Sequence, residues 1–155
     1  MSGDSDGFAP CTPQAVIEIL DHYQIEIKGK RTVVIGRSMV VGRPLAMMLL
    51  KRNATVTICH TRTKELANEA KRAEILIAAA GKARMVTKDM VSEGTIVIDV
   101  GINFDENGKM CGDVDFDNVS PIAGQITPVP GGVGSVTSTV LAKQVIDAFK
   151  LQQGL

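Results

Sequence analysis

The chain has 155 residues, 45% of them hydrophobic, which is enough for one buried core but short for a cofactor domain plus a substrate domain. Lysine plus arginine balance aspartate plus glutamate at 17 each, so no overall field favours nucleic acid or an anionic membrane surface. Three widely separated cysteines and no long apolar run argue against a disulfide framework, a CxxC metal site and a membrane span, and a reducing cytoplasm is the expected compartment.

The first part of the chain predicts an alternation of helices and strands. A helix is expected from Pro13 to Tyr23, with Thr12 as its cap and apolar residues at helical spacing. Short apolar runs and helical stretches then alternate through Thr32 to Ile35, Pro44 to Lys51, Thr55 to Cys59, Thr63 to Arg72, Ile75 to Ala79, Thr87 to Met90 and Thr95 to Val100. Strands that are apolar on both faces favour a parallel sheet covered on each side by helices, so the expected class is doubly wound α/β.

The alternation breaks after Val100. Ile102 to Phe104 and Lys109 to Cys111 flank an Asn-Gly pair suited to a tight turn, which predicts a small β-hairpin outside the main sheet. A last strand near Gly124 to Thr127 and a closing helix from about Ser135 to Lys150, capped by Ser135, complete the predicted elements.

A strand that runs into a glycine turn and then a helix, Val33 to Gly42, predicts a dinucleotide site. Gly36 permits the tight turn, N–H groups at the following helix N-terminus can bind phosphate oxygens, and Gly42 lets that helix pack closely on the sheet. The pattern departs from GxGxxG, because Ser38 replaces the second glycine and Gly42 comes one residue late. A glycine turn that binds nothing therefore remains an alternative.

The end of the second predicted strand favours NADP over NAD. NAD-binding folds usually place a carboxylate there for the ribose 2′-hydroxyl, whereas this chain has Cys59, His60, Thr61 and Arg62. A hydroxyl and a guanidinium suit a 2′-phosphate, which Arg62 or Arg37 could bind. The alternative for Arg62 is a solvated cation at a helix start. For His60, a packed, hydrogen-bonded side chain is favoured over a catalytic one.

Five motifs together closely resemble the cofactor domain of the bifunctional methylenetetrahydrofolate dehydrogenase/cyclohydrolase family. They occur in the family's order over almost the whole chain. They are Phe8 to Pro13, Val34 to Pro44, Ala54 to His60, Asp99 to Asn103 and Thr127 to Gly134. The resemblance implies a Rossmann-like NAD(P)-binding domain that uses NADP.

The resemblance also assigns residues to the cofactor and the substrate. It implies that Gly36, Arg37 and Ser38 contact the phosphates and that Thr61 lies beside the adenosine ribose. Ile102, next to Gly101, would contact the cofactor through its backbone near the nicotinamide. The folate cleft would be faced by Pro130, Gly131 and Gly132, for which a rigid surface turn is the alternative. The family usually has proline, a bulky apolar residue and threonine where this chain has Ser135-Val136-Thr137, which leaves details of that cleft open.

Three other residues could have either a reactive or a structural role. Asp99 follows a buried strand and could act as a general base, but a hydrogen bond to backbone at the strand end is the favoured role. Cys59 and Cys111 are favoured as buried, inert cysteines, since only His60 offers a basic neighbour.

The resemblance further implies that the catalytic groups lie in a preceding folate-binding domain, which supplies a tyrosine and a catalytic lysine four residues apart. Here Ile27 stands four residues after the one tyrosine, Tyr23, so no catalytic residue is assigned to this chain.

We expect residues 1–12 to be a linker remnant, 13–150 the NAD(P)-binding domain and 151–155 a tail. The isolated chain should bind NADP without catalysing the folate reactions, and homodimers should form through the cofactor domains, with the hairpin as a possible edge. An inert nucleotide-binding module acting through a partner, and another oxidoreductase with an amino-acid-dehydrogenase-like cofactor domain, are the alternatives.

Overall fold

The computed structural model describes residues 7–154 and contains, within that range, seven strands, five α-helices and a short 3₁₀ turn at Lys88–Met90. The strands are β1 (Arg31–Ile35), β2 (Thr55–Cys59), β3 (Ile75–Ala78), β4 (Ile96–Asp99), β5 (Asn103–Phe104), β6 (Met110–Cys111) and β7 (Gln125–Ile126). The helices are α1 (Cys11–His22), α2 (Gly42–Lys51), α3 (Leu66–Lys71), α4 (Phe116–Val119) and α5 (Val133–Gln153).

Five of the strands form one parallel sheet in the order β2-β1-β3-β4-β7. The first strand lies inside the sheet, between the second and the third, as in doubly wound nucleotide-binding folds. All four residues of β3 are buried, since helices or loops cover both faces of the sheet. The predicted doubly wound α/β class is therefore confirmed.

Alternate residues of the central strands supply two separate cores. Val34, Ile75 and Ile77 point to the core shared with α1, α2 and α5. Val33 and Leu76 point to the opposite core, which α3 and the segment around the 3₁₀ turn cover. This alternation of neighbouring side chains is the ordinary geometry of a strand, applied to a sheet with two apolar faces.

Several predicted boundaries are wrong at the helix ends. α1 begins at Cys11 with Pro10 as its N-cap, so Thr12 lies inside the helix and does not cap it. α5 begins at Val133 with Gly132 as its N-cap, so Ser135 does not cap that helix. The predicted end of the closing helix near Lys150 is also too early, because α5 continues through Gln153. Of the predicted linker, residues 1–6 lie outside the described range.

The predicted hairpin is confirmed as a two-stranded antiparallel unit separate from the main sheet. Asn103 pairs with Cys111 and Phe104 pairs with Met110. Asp105 closes the turn, because its carboxylate accepts the backbone N–H of Asn107 and of Lys109 at 2.9 Å each. In residues 7–154 we find no helix with the length and apolar character needed to cross a membrane.

Candidate functional site

The carboxyl end of the parallel sheet is where the predicted site residues gather. β1 lies between β2 and β3, so the chain leaves β1 toward one side of the sheet and leaves β3 toward the other. Such a reversal of strand order opens a crevice beyond the carboxyl ends of the two strands, where ligands bind in open α/β sheets. Gly36 follows β1 and Ala79 follows β3, so both residues border this crevice.

Gly36 and Gly42 are glycines because backbone approaches both of them too closely for a side chain. A Cβ on Gly36 would lie 2.1 Å from the carbonyl oxygen of Ala79, and the φ of Gly36 is +135°. A Cβ on Gly42 would lie 2.2 Å from the carbonyl oxygen of Gly36. The tight turn and the close helix packing predicted for these glycines are therefore present.

Ser38 changes which backbone donors remain available to a phosphate. Its hydroxyl accepts the N–H of Val41 at 3.0 Å and that of Gly42 at 3.4 Å, and its carbonyl accepts the N–H of Arg43 at 3.0 Å. Within the described residues, the N–H groups of positions 37, 38 and 39 have no intramolecular acceptor. The turn itself, rather than the helix N-terminus of the prediction, presents the free donors, and this open cradle fits a pyrophosphate.

Arg43 is a support for the turn that the sequence reasoning missed. Its Nε donates to the carbonyl oxygen of Arg37 at 3.2 Å, and one of its terminal nitrogens lies 3.2 Å from the sulfur of Met39. The sequence could not have predicted this role of Arg43, seven residues after Gly36. The role depends on the direction that its side chain takes along the first turn of α2.

The turn after β2 presents two exposed side chains, Thr61 and Arg62, at the same edge. Register pairs Ile35 with Cys59, so this turn and the Gly36 turn follow neighbouring strands. His60 is half-buried and organises the turn: its Nδ1 accepts the N–H of Arg62 at 3.1 Å, and its own N–H donates to the hydroxyl of Thr63 at 2.9 Å. His60 thus has the packed, hydrogen-bonded role that was one of its two predicted roles.

The segments after β4 and β7 meet near the start of α5. Ile102 is 60% exposed, and its Cδ1 would lie 3.9 Å from a Cβ placed on Gly134. Gly132 has no room for a side chain, because its Cβ would lie 2.3 Å from the carbonyl oxygen of Pro128. The peptide bond between Val129 and Pro130 is cis. Ile102 and the Pro130-to-Gly132 segment, predicted from separate motifs, therefore lie at one end of the sheet.

A cleft of about 710 Å³ lies on the α1 and α5 side of this edge, beside Gly131 and Gly132. Its walls include Ile19 of α1, Ile98 of β4 and Ile126 of β7, so it is mainly apolar. The Gly36 turn and Thr61 are not among its walls, and they form an open shelf on another part of the sheet edge. The predicted phosphate-binding turn and the predicted substrate residues Gly131 and Gly132 thus lie on separate surfaces.

Two buried carboxylates hold the loops of this edge together, and only Asp99 was anticipated. Asp99, 3% exposed, accepts the N–H groups of Gly101, Asp113 and Val114 at 2.9 to 3.0 Å, which confirms its predicted bonding to backbone. Burial raises the pKa of Asp99, while its three backbone donors oppose that rise. Asp113 is fully buried and was missed, although its position between Gly112 and Val114 after the hairpin was a possible signal.

The cysteines do not form a reactive cluster. Cys59 is fully buried, and burial raises the pKa of its thiol, which agrees with the predicted inert role. Cys111 is only half-buried, so the prediction that it is buried is wrong. Cys11 contacts Gln144 of α5, with 3.2 Å between its sulfur and the amide oxygen. Among residues 7–154 there is no grouping of side chains that could hold a metal ion.

Comparison with known proteins finds one family that matches almost the whole chain. Residues 10–153 match the family model described as tetrahydrofolate dehydrogenase/cyclohydrolase, NAD(P)-binding domain. The bifunctional protein FolD of Alkaliphilus oremlandii is 59% identical over 155 residues, which are 100% of this chain and 54% of that protein.

Two solved structures are similar to this chain in both fold and sequence. The bifunctional FolD methylenetetrahydrofolate dehydrogenase/cyclohydrolase of Campylobacter jejuni superposes with a TM-score of 0.93 at 48% identity, over 96% of this chain and 52% of that one. The Trypanosoma brucei enzyme, solved in complex with NADP cofactor and an inhibitor, gives a TM-score of 0.87 at 40% identity, over 94% and 52% of the two chains. The chain thus spans about half the length of the relatives it matches.

Proposed function

The chain belongs to the tetrahydrofolate dehydrogenase/cyclohydrolase family as its NAD(P)-binding domain, and we propose that it binds NADP for a 5,10-methylenetetrahydrofolate dehydrogenase and 5,10-methenyltetrahydrofolate cyclohydrolase. The observation that carries this proposal is the cradle after β1. At Gly36 and Gly42, three backbone segments come close together, and the N–H groups of residues 37 to 39 are free to donate to a ligand's phosphate oxygens.

The second part of the proposal is that the dinucleotide lies along the carboxyl edge of the sheet. Its pyrophosphate would contact Gly36, Arg37 and Ser38, and its adenosine end would lie over the turn after β2. Thr61 and Arg62 are exposed there, and neither is a carboxylate that would repel a 2′-phosphate. The Trypanosoma brucei relative, solved with NADP, supports the same choice of cofactor.

The nicotinamide end would then extend over the ends of β3 and β4, toward Gly101 and Ile102. The residues from Pro130 to Gly132 adjoin the apolar cleft and would face the folate. When bound, the nicotinamide supplies the acceptor for a hydride from the methylene carbon of the folate. The role of this chain is to hold that ring in a fixed place and orientation.

We infer that the isolated chain performs neither the dehydrogenase nor the cyclohydrolase step. The lysine expected to act in both steps belongs to a folate-binding domain, which the other half of the relatives would supply. An exposed apolar surface on α5 supports a second domain at this place, since such patches usually mark an interface. Its members are Leu141, Val145, Ile146, Phe149 and Leu151.

Homodimer formation through the cofactor domains is also part of the proposal. The hairpin offers short unpaired edges and the exposed side chain of Phe104, 65% accessible, which suit contact with a second copy. Sedimentation of the chain and of Phe104→Ser at matched concentrations tests this: we expect a dimer that the substitution weakens, and a monomer at all concentrations would contradict it.

The experiment for the main proposal is calorimetric titration of the chain with NADP and, separately, with NAD. We expect NADP to bind more tightly, and Arg37→Gln and Arg62→Gln each to weaken NADP more than NAD. Lys88→Gln is a matched control, since it also removes one exposed cation but from the 3₁₀ turn, outside the proposed site. Failure of both dinucleotides to bind would reject the site and favour an inert module that acts through a partner.

A further inference from the structure

We propose that Asp113 is a positioning residue that fixes the loops beneath the nicotinamide half of the cofactor, an inference that rests on the proposed NADP site. The residue lies beyond the hairpin, 31 to 33 positions away from the loop it holds. It touches no part of the Gly36 cradle among the contacts of the described residues. Its effect would be exerted through the backbone of residues 80–82 and through Asn103.

The contacts of Asp113 use both oxygens of its carboxylate. Oδ2 accepts the N–H of Ala80 at 2.6 Å and of Gly81 at 2.9 Å. Oδ1 accepts the N–H of Lys82 at 2.9 Å and the side-chain amide of Asn103 at 2.9 Å. Three successive backbone N–H groups thus converge on one anion, in the way that backbone nests bind phosphate.

Asp99 extends the same network to the next loop. It accepts the N–H of Asp113 and, through the same oxygen, the N–H of Gly101. The packing around both carboxylates is too tight for a side chain at the neighbouring glycines. A Cβ on Gly101 would lie 2.3 Å from the carboxyl carbon of Asp113, and a Cβ on Gly112 would lie 1.9 Å from an oxygen of Asp99. The two carboxylates therefore join the loops after β3 and β4 to the hairpin.

Only a carboxylate can satisfy this arrangement of donors. An ionised carboxylate is an acceptor at every lone pair, whereas an asparagine amide replaces one oxygen by an NH₂ group. At position 113 that group would face the N–H groups of Ala80 and Gly81 in one orientation. In the other it would face the N–H of Lys82, although the amide of Asn103 could turn and accept from it. At least one backbone N–H therefore loses its acceptor. Because the site is fully buried, water cannot readily replace the lost acceptors, and the loop must move away.

The strand order indicates which half of the cofactor this loop supports. The pyrophosphate cradle follows β1, and the adenosine end is proposed to lie over the neighbouring β2. The other half of the dinucleotide must then cross β3 and β4, on the opposite side of β1. Residues 80–82 and Gly101 follow those two strands, so Asp113 should influence the nicotinamide half and leave the adenosine half unaffected.

The test compares Asp113→Asn with the unchanged chain in binding NADP and adenosine 2′,5′-bisphosphate, which carries only the adenosine half. We expect NADP to weaken by about tenfold or more and the bisphosphate by less than about twofold, the scale of losing buried hydrogen bonds in one loop. Amide hydrogen exchange at residues 80–82 should accelerate by at least about tenfold, with β1 and β3 still protected. Asp115→Asn is the matched control, because among residues 7–154 the carboxylate of Asp115 accepts a hydrogen bond only from Asn118 in its own turn.

The outcomes separate this proposal from the binding site itself. Equal weakening of both ligands, or unchanged exchange at residues 80–82, would overturn the role of Asp113. If the unchanged chain binds neither ligand, the proposed NADP site fails, and the exchange measurement still decides whether Asp113 holds the loop. Should Asp113→Asn fail to fold, Asn103→Ala removes one donor of four; we expect faster exchange at Lys82 and a twofold to threefold loss confined to NADP, of the order of one hydrogen bond.

Discussion

Replacing Gly36 by alanine tests the cradle most directly. The added methyl would lie 2.1 Å from the oxygen and 2.7 Å from the carbon of the Ala79 carbonyl, so β1 and β3 must separate at their carboxyl ends or the turn must shift. Forcing a side chain into such a contact costs about 1–3 kcal/mol, and a non-glycine residue at strongly positive φ adds about 1–3 kcal/mol. We expect a total loss of roughly 2–6 kcal/mol in the free energy of unfolding.

The assay is urea unfolding of Gly36→Ala, paired with NADP titration, and Gly29→Ala is the matched control. Gly29 also has positive φ, +75°, but a Cβ there meets nothing within 4 Å, so it incurs only the backbone term. Gly36→Ala should lose more stability than Gly29→Ala and should also lose NADP binding, which Gly29→Ala keeps. Equal stability losses in the two variants, with NADP still bound by Gly36→Ala, would refute the reasoning.

Three further substitutions probe other parts of the molecule. Thr32→Val should stabilise the chain by about 1 kcal/mol in urea unfolding, because the buried Thr32 hydroxyl has no hydrogen-bond partner within residues 7–154; a destabilised variant would indicate an unrecognised contact. Thr61→Asp should weaken NADP by about tenfold or more and narrow the gap to NAD, since a carboxylate repels the 2′-phosphate; unchanged selectivity in calorimetry would place the phosphate elsewhere. The backbone N–H of Arg31 and the ammonium of Lys30 hold the pKa of Glu74 below its ordinary value of 4.5, so its carboxylate stabilises the fold above that pH and this contribution is lost as the pH falls through the lowered pKa. Glu74→Gln should therefore flatten the acid limb of a plot of Tm against pH, and an unaltered limb would argue against these contacts.

The sheet was predictable because its strands are short apolar runs, such as Val33 to Ile35, that can only be buried on both faces. The tight turn at Gly36 was predictable for a similar reason, since a local sequence pattern determines it. The predicted caps were wrong at the starts of α1 and α5, because the N-cap residues there, Pro10 and Gly132, have no side-chain acceptor that the sequence pattern would single out. Ser135 has the right chemistry for a cap but stands three residues after the cap position, Gly132.

The network around Asp113 could not be predicted from local pattern. Its three backbone donors lie more than 30 positions earlier in the chain, and nothing in the neighbouring sequence indicates which loop will meet it. The contacts of the Ser38 hydroxyl could not be predicted either, although its partners are only three and four residues away. The sequence correctly indicated a turn, but only the structure shows that the Ser38 hydroxyl accepts the N–H groups at the start of α2 and leaves those of the turn free.

The pairing of α1 with α5 has a consequence for the order of folding. The strands β1, β2 and β3 that border the cradle all lie within residues 31–78. They can therefore assemble from contacts between strands that are close together in the sequence. Cys11 and Gln144, in contrast, meet across 133 positions, and the side-chain amide of Gln144 also donates to the carbonyl of Ala9 at 2.8 Å. Bringing together such distant segments costs more chain entropy than closing a βαβ unit. We therefore expect α5 to dock last during folding and to open first in native-state hydrogen exchange, while the central strands stay protected.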